Sequence, residues 1–368
     1  MMKVISACLL FLLSYSVFAS SNDNEKGVFL EKYQEYSKYS SNGNWPEAAE
    51  RARVLVELSE KLFGEKSKNT ASLQYNYGVS LLRSDKRESY DEARSALRKA
   101  VVLYEEVYGE GSKSLIDPLM DYGRAINKIA LDCDGRKQFS DAISIAKTNS
   151  LSEILVAELY QEAGVSCLND SSYIKKAKSY LMMARERFIN VFPEDDFRVA
   201  INSYYLGKAN LSLLNLKEAE KYLLSSVEAF SGAKEAFKLY YQSSHAFLVE
   251  VYERKGEGEK ADKHCQEVGR MSSWSSSHEA KPIFQTVPVY PERAWFFGRE
   301  GNVVLNFYVD KSGFARDITV AEHKGSRDFI GSALKAVEKW RFVPEFKDGQ
   351  PVDSGMTNFK FTFMMSKY

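Results

Sequence analysis

The segment Tyr90-Asp-Glu-Ala-Arg-Ser-Ala-Leu-Arg-Lys-Ala-Val-Val-Leu-Tyr104 decides the fold class. Leu97, Ala100, Val101 and Tyr104 recur at helical spacing and give the segment one apolar stripe. Its opening tetrapeptide, Tyr90-Asp-Glu-Ala93, is one of a series that always ends in alanine: Trp45-Pro-Glu-Ala48, Phe139-Ser-Asp-Ala142, Ile174-Lys-Lys-Ala177, Leu216-Lys-Glu-Ala219 and Gly258-Glu-Lys-Ala261. The alanines stand 45, 49, 35, 42 and 42 residues apart. Sixteen residues after an alanine comes Gly64, Gly109 or Pro193, and thirty after it comes Gly78, Gly123 or Gly207. Each unit reads as helix, turn, helix.

The small alanine lets its helix approach a partner closely, and Gly64 and Gly109 are expected to end helices with a left-handed residue. Pro193 ends one by refusing to continue it. A lone hairpin cannot bury both of its faces, so the units must stack into an all-α array over residues 28–270. These motifs resemble tetratricopeptide repeats, in the longer variety of kinesin light chains, where an aromatic-glycine pair such as Phe63-Gly64 or Tyr108-Gly109 closes the first helix. Units three and six follow the pattern only in outline. The resemblance implies a protein-binding scaffold. Tyr75, Tyr77, Tyr204, Tyr205, Tyr240 and Tyr241 read first as core residues and second as groove lining.

At the chain's start, Met1 to Lys3 carry positive charge, Val4 to Val17 are almost uniformly apolar, and Val17-Phe18-Ala19 offers a small-residue exit. That pattern predicts a secretory signal peptide over residues 1–19 and a periplasmic mature chain. The run is too short to span a bilayer as a helix. Lys and Arg number 50 against 50 Asp and Glu, so no global charge argues for a nucleic-acid partner. Beyond Cys8 there are three cysteines. Cys133 and Cys167, near the ends of neighbouring repeats, are the candidate disulfide, with three small buried thiols the equal alternative.

After Met271 the helical pattern gives way to Ser272-Ser-Trp-Ser-Ser-Ser277, read as a linker over 271–280. Beyond it the period changes. Val303, Leu305, Phe307 and Val309 alternate as in a half-buried strand, Asp310-Lys-Ser-Gly313 supplies a turn, and Ala315 to Glu322 returns. Phe329, Ala333, Ala336, Val337 and Trp340 share one side of a helix. Lys347-Asp-Gly-Gln350 turns the chain again, and Phe359, Phe361 and Phe363 alternate with polar residues in a last strand.

Residues 281–368 then show an ordered set of motifs. These are Pro288-Val-Tyr-Pro291, Glu300-Gly301, Phe307-Tyr-Val-Asp310 with Gly313, Trp340-Arg-Phe-Val-Pro344, Gly349-Gln-Pro-Val352 and Phe361-Thr-Phe363. Together they resemble the C-terminal domain of TonB. The resemblance implies an α+β domain in which a three-stranded antiparallel sheet carries two helices. It also implies that the last strand, Met356, Thr357, Asn358, Phe359, Lys360, Phe361, Thr362 and Phe363, is an edge that recruits a short peptide of a TonB-dependent outer-membrane transporter. Pro288, Tyr290, Pro291, Gly301, Gly313, Trp340 and Pro344 carry the family pattern. Three features depart from the family's energy transducers. Val287 replaces a glutamine before Pro-x-Tyr-Pro, and neither a proline-rich spacer nor an N-terminal membrane histidine is found, His245 being the first histidine.

The function expected is that of a non-enzymatic periplasmic adaptor of TonB-dependent transport. Its edge strand would take a transporter peptide, and its repeat groove a periplasmic or inner-membrane protein. The alternatives are a membrane-anchored transducer that keeps its N-terminal segment, and an envelope scaffold, including a homodimer through the edge strand. No cofactor or metal is expected. His264-Cys265 lacks spaced ligand partners and reads as structural, and neither Gly256-Glu-Gly258 nor Gly298-Arg-Glu-Gly301 has the lysine of a phosphate loop.

Overall fold

The computed structural model describes residues 23–130, 133–232, 235–272 and 281–365, and the chain divides into two compact units at Phe192/Pro193. The expected signal peptide and residues 273–280 of the serine-rich linker lie outside the described residues.

The first unit holds α1 (Asp23–Ser41), α2 (Trp45–Phe63), α3 (Lys68–Arg83), α4 (Tyr90–Tyr108), α5 (Ile116–Ala130), α6 (Arg136–Thr148), α7 (Glu153–Ser166) and α8 (Ile174–Ile189). Ala48, Ala93, Ala142 and Ala177 are completely buried, each at the point where its helix meets a neighbour. Glycines let the helices of this unit approach closely. A Cβ on Gly78 would lie 2.6 Å from Leu97 Cγ, and one on Gly164 would lie 2.7 Å from Leu181 Cγ. Gly78, thirty residues after Ala48, meets the helix of the next alanine, and Gly164, twenty-two residues after Ala142, does the same, so α3–α4 and α7–α8 are tight hairpins. This moves the hairpin by one helix from the unit counted in the sequence. Gly64 and Gly109 do end helices, but at φ 88°, ψ 154° and φ 87°, ψ 150°. That extended, positive-φ region belongs essentially to glycine and differs from the left-handed helical turn expected. Ser67 and Ser152 cap α3 and α7 by accepting from Thr70 and Leu155 backbone amides.

Alternate helices share one face of this unit. Tyr75 of α3 donates to Asp121 of α5 at 2.6 Å, and Arg124 of α5 reaches both Asp121 and Glu162 of α7, at 2.5 and 2.8 Å. Cys133 and Cys167, flanking the α6–α7 pair, are joined in a disulfide with Cα atoms 4.8 Å apart.

The second unit continues the repeat pattern with α9 (Phe197–Ser212), α10 (Leu216–Phe230), α11 (Lys238–Lys255) and α12 (Gly258–Met271). Ala219 and Ala261 are again fully buried. Half-buried Tyr204, Tyr205 and Tyr240 form a ring cluster on α9 and α11, with centroids 5.0–6.2 Å apart.

The α+β part follows as β1 (Pro282–Phe284), α13 (Glu292–Phe296), β2 (Gly301–Val309), β3 (Ala315–Lys324), α14 (Asp328–Val337), β4 (Arg341–Phe342), β5 (Glu345–Lys347), β6 (Gln350–Val352) and β7 (Thr357–Phe363). The main sheet has the order β3-β2-β7 and is antiparallel, while β1–β4 and β5–β6 form two small ribbons. Val303, Leu305, Phe307 and Val309 are wholly buried, as period-2 alternation requires, against Phe329, Ala333, Ala336 and Val337 of α14. Phe329 stacks on Phe363 at 4.4 Å, and Trp340 meets Phe359 and Phe361 at 5.0 Å. Each such large side chain contributes about 1.5–3 kcal/mol by burial. Asp348 and Gly349, at φ 51° and 76°, make the tight turn of the β5–β6 hairpin.

Candidate functional site

Strand β7 lies beside β2 in uninterrupted register, from Gly301↔Phe363 to Phe307↔Thr357. Among the described residues its other edge has no strand partner. Thr357, Phe361 and Phe363 are buried and Phe359 is half-buried, while Asn358, Lys360 and Thr362 are exposed. The phenylalanines thus hold the strand to the core and leave a polar outer face. Both ends are tied down. Ser354 accepts from Val309 N–H through its hydroxyl and returns its own N–H to Val309 O, and Met365 N–H donates to Glu300. Met356 and Met364, 57% and 70% exposed, bracket the strand. Met356 itself lies just outside the strand.

The opposite edge, β3, has another character. Its register with β2 shifts twice, and Arg316, Asp317, Glu322, His323 and Lys324 are exposed along it. Bulges and charges are how sheet edges avoid pairing.

The family-pattern residues mostly build the frame. Tyr290 packs against Phe329 and Phe363 and donates to Arg299 O at 2.6 Å. Pro291 precedes α13, and Pro288 lines a groove beside α14. Gly301 passes so near β3 that a Cβ would stand 2.0 Å from Lys324 O. Trp340 Nε1 donates to Thr286 O at 2.9 Å.

Gly313 and Pro344 face elsewhere, toward α12. A Cβ on Gly313 would meet Cys265 Sγ at 2.6 Å, and one on Gly269 would meet Pro344 at 2.8 Å. Between these contacts sits Arg341, whose side chain is 2% exposed. Its Nε donates to Glu253 of α11 at 2.7 Å and its Nη1 to Ser312 O at 2.6 Å. The same Nη1 lies 2.6 Å from Asp262 of α12 in an ion pair, and the guanidinium covers the Phe314 ring at 3.5 Å. In the sequence Arg341 stands only as part of the Trp340–Pro344 motif, and neither Glu253 nor Asp262 is singled out, because nothing local links an arginine to a carboxylate 88 residues away.

The neighbours His264 and Cys265 point to different partners. His264 Nδ1 is 2.8 Å from His245 Nδ1 on α11, and its ring stacks on Tyr252. Burial pushes both histidines down to about 4, so both are neutral at pH 7. The Cys265 thiol donates to Phe342 O at 3.3 Å, and burial pushes it up to about 12. Among the described residues no group of three or more His, Cys, Asp or Glu is placed to hold a metal ion. No helix among them is long and apolar enough to cross a membrane.

Comparison with known proteins agrees with this architecture. Residues 286–364 match the family model of the Gram-negative bacterial TonB protein C-terminal. Protein TonB of Pseudomonas aeruginosa is 34% identical over 94 residues, 26% of this chain and 28% of its own length. The chain therefore spans under a third of that relative. The kinesin light chain TPR-like repeats of Podosopora anserina superpose with a TM-score of 0.50 at 12% identity, covering 58% of this chain and 98% of theirs. BtubC from P. vanneervenii does so with a TM-score of 0.50 at 15% identity, covering 71% and 98%. The chain thus joins a TPR-like helical array to a C-terminal domain similar to that of TonB.

Proposed function

We propose that this protein is a non-enzymatic periplasmic adaptor with a TonB-type role in outer-membrane transport. Strand β7 takes an extended peptide of an outer-membrane transporter, and the helical array holds a second protein. The observation that carries the reading is the contrast of the two sheet edges: β7 is regular, anchored at both ends and open, whereas β3 is bulged and charged. An open edge offers unpaired backbone donors and acceptors to an extended partner. Likeness to TonB supplies the kind of partner.

The test uses synthetic peptides from the N-terminal segments of outer-membrane transporters, with amide exchange and fluorescence anisotropy as readouts. Alternate amides of 357–363 should gain protection. Lys360→Pro or Thr362→Pro should abolish binding, and Thr319→Pro on β3 should leave it intact. Unchanged affinity in folded β7 variants overturns the edge-strand reading. Concentration-dependent dimerisation that the same prolines abolish would favour the scaffold alternative. Intact mass of the chain from cell envelopes separates adaptor from anchored transducer: a start at Ser20 supports the first, a retained Met1 the second.

A further inference from the structure

We infer that the face made by Ser312, Phe314 and Arg341 is a dedicated docking surface for the carboxylate-bearing hairpin α11–α12, so that the C-terminal domain works locked to the last repeat. The inference is independent of which peptide β7 takes.

Three features of the hairpin fit it to this role. The first is charge. Glu253 and Asp262 come from its two helices and converge on one guanidinium, which also caps Ser312 O and lies on the Phe314 ring. Arginine alone offers such a planar fork with a stacking face. The second is volume. In α9–α10 a bare Gly207 faces Leu223, which stands four residues after the alanine, whereas the matching positions in α11–α12 are Val249 and Cys265. Large and small have changed places. The small thiol leaves room for Gly313 and Phe342 O, and Val249 and Cys265 form one buried cluster with Phe284 of β1. The third is backbone access, since Gly269 admits Pro344 and Phe346 to within a distance no side chain would allow.

The docking elements are β1, the β2–β3 turn, β4 and the β5–β6 hairpin, and β7 is not among them. Docking and strand addition therefore use different parts of the domain and are compatible. A strand held at β7 is then coupled to the α11–α12 hairpin through a packed interface, in addition to the chain connection through residues 273–280.

Cys265 reports the docked state, being fully buried under Phe342. The experiment is native-state thiol labelling of the full chain carrying Cys8→Ser, with Cys133–Cys167 kept oxidised so that Cys265 is the reactive thiol. Wild type should label slowly. Arg341→Met leaves two carboxylates facing an apolar stem, and labelling should rise at least 100-fold while α12 amides stay protected from exchange. Arg341→Lys should fall between, and Lys360→Pro should label like wild type. Where Arg341→Met fails to fold, the pair Glu253→Gln and Asp262→Asn reads the same opening from the other side. Labelling of wild type at the rate of a free thiol, or wild-type rates in the folded Arg341 variants, overturns the inference.

Discussion

Hairpins α9–α10 and α11–α12 descend from the same sequence pattern and are held together differently. In the first, Gly207 meets Leu223 so closely that a Cβ would stand 2.5 Å from its Cγ, and the helices close on apolar contact. In the second, Val249 replaces the glycine, Cys265 replaces the leucine, and the two helices are bridged by the His245–His264 contact and by Arg341 of the C-terminal domain. The last repeat is therefore not a weak copy: it keeps apolar packing of Leu248, Val251 and Tyr252 with Ala261 and adds a surface shaped to its neighbour.

The largest effect is expected in the first unit, at the hairpin α5–α6, which also departs from the pattern because Gly123 meets Phe139 and the bridged Cys133 lies just before α6. Replacing Cys133 and Cys167 by serine removes a constraint over 34 residues and should cost about 3–4 kcal/mol in denaturant unfolding. A loss below about 1 kcal/mol would mean that packing alone holds that hairpin.

Next comes Cys265→Leu, which restores the residue of the earlier hairpins. The added carbons would collide with Gly313 and Phe342 O, costing about 2–3 kcal/mol and driving the domain from its seat. Proteolysis at residues 273–280 should accelerate in parallel, and an unchanged digestion pattern would show that the site tolerates leucine. Gly207→Ala is the reciprocal test. It should lower stability by about 1–2 kcal/mol through displacement of Leu223 without changing Cys265 labelling.

The smallest effect is one of pH. Burial lowers His245 and His264 to about 4 in the folded chain, with Glu267 raising both; Arg270 lowers His245, and His245 and Lys263 lower His264. Unfolded histidines take up protons near pH 6.5, so the unfolded chain binds more protons between 6.5 and 4. Stability is therefore full above about pH 6.5, falls as pH drops toward 4, and levels off below. For buried His245 the fall from pH 7 to 6 is about 0.7 kcal/mol. His245→Phe should flatten that slope in thermal melts, and an unchanged slope would assign it to other groups.

Much of this was legible in the residues themselves. The six alanines mark helix contacts because a small side chain lets a helix come close to its partner, and all six are fully buried. The faces of β2 and β7 were legible because strand geometry alternates every residue, which puts Val303, Leu305, Phe361 and Phe363 inside. The hairpin phase was not legible, since Gly78 stands between two alanine helices in the chain and only packing selects Leu97 as its close contact. Trp340-Arg-Phe342 was visible as a motif, but the tryptophan and the arginine do opposite things: one fills the domain's own core, and the other leaves it to meet α11 and α12.

The amino-acid sequence by itself determined the repeat array, the change to an α+β domain and the inward faces of its strands. Each of these follows from periods of 3.6 and 2, which act between residues a few positions apart. Which helices approach most closely and where the charge of Arg341 goes were settled only in the folded chain. Those depend on shape and charge matched across tens of residues, where no local period carries the information.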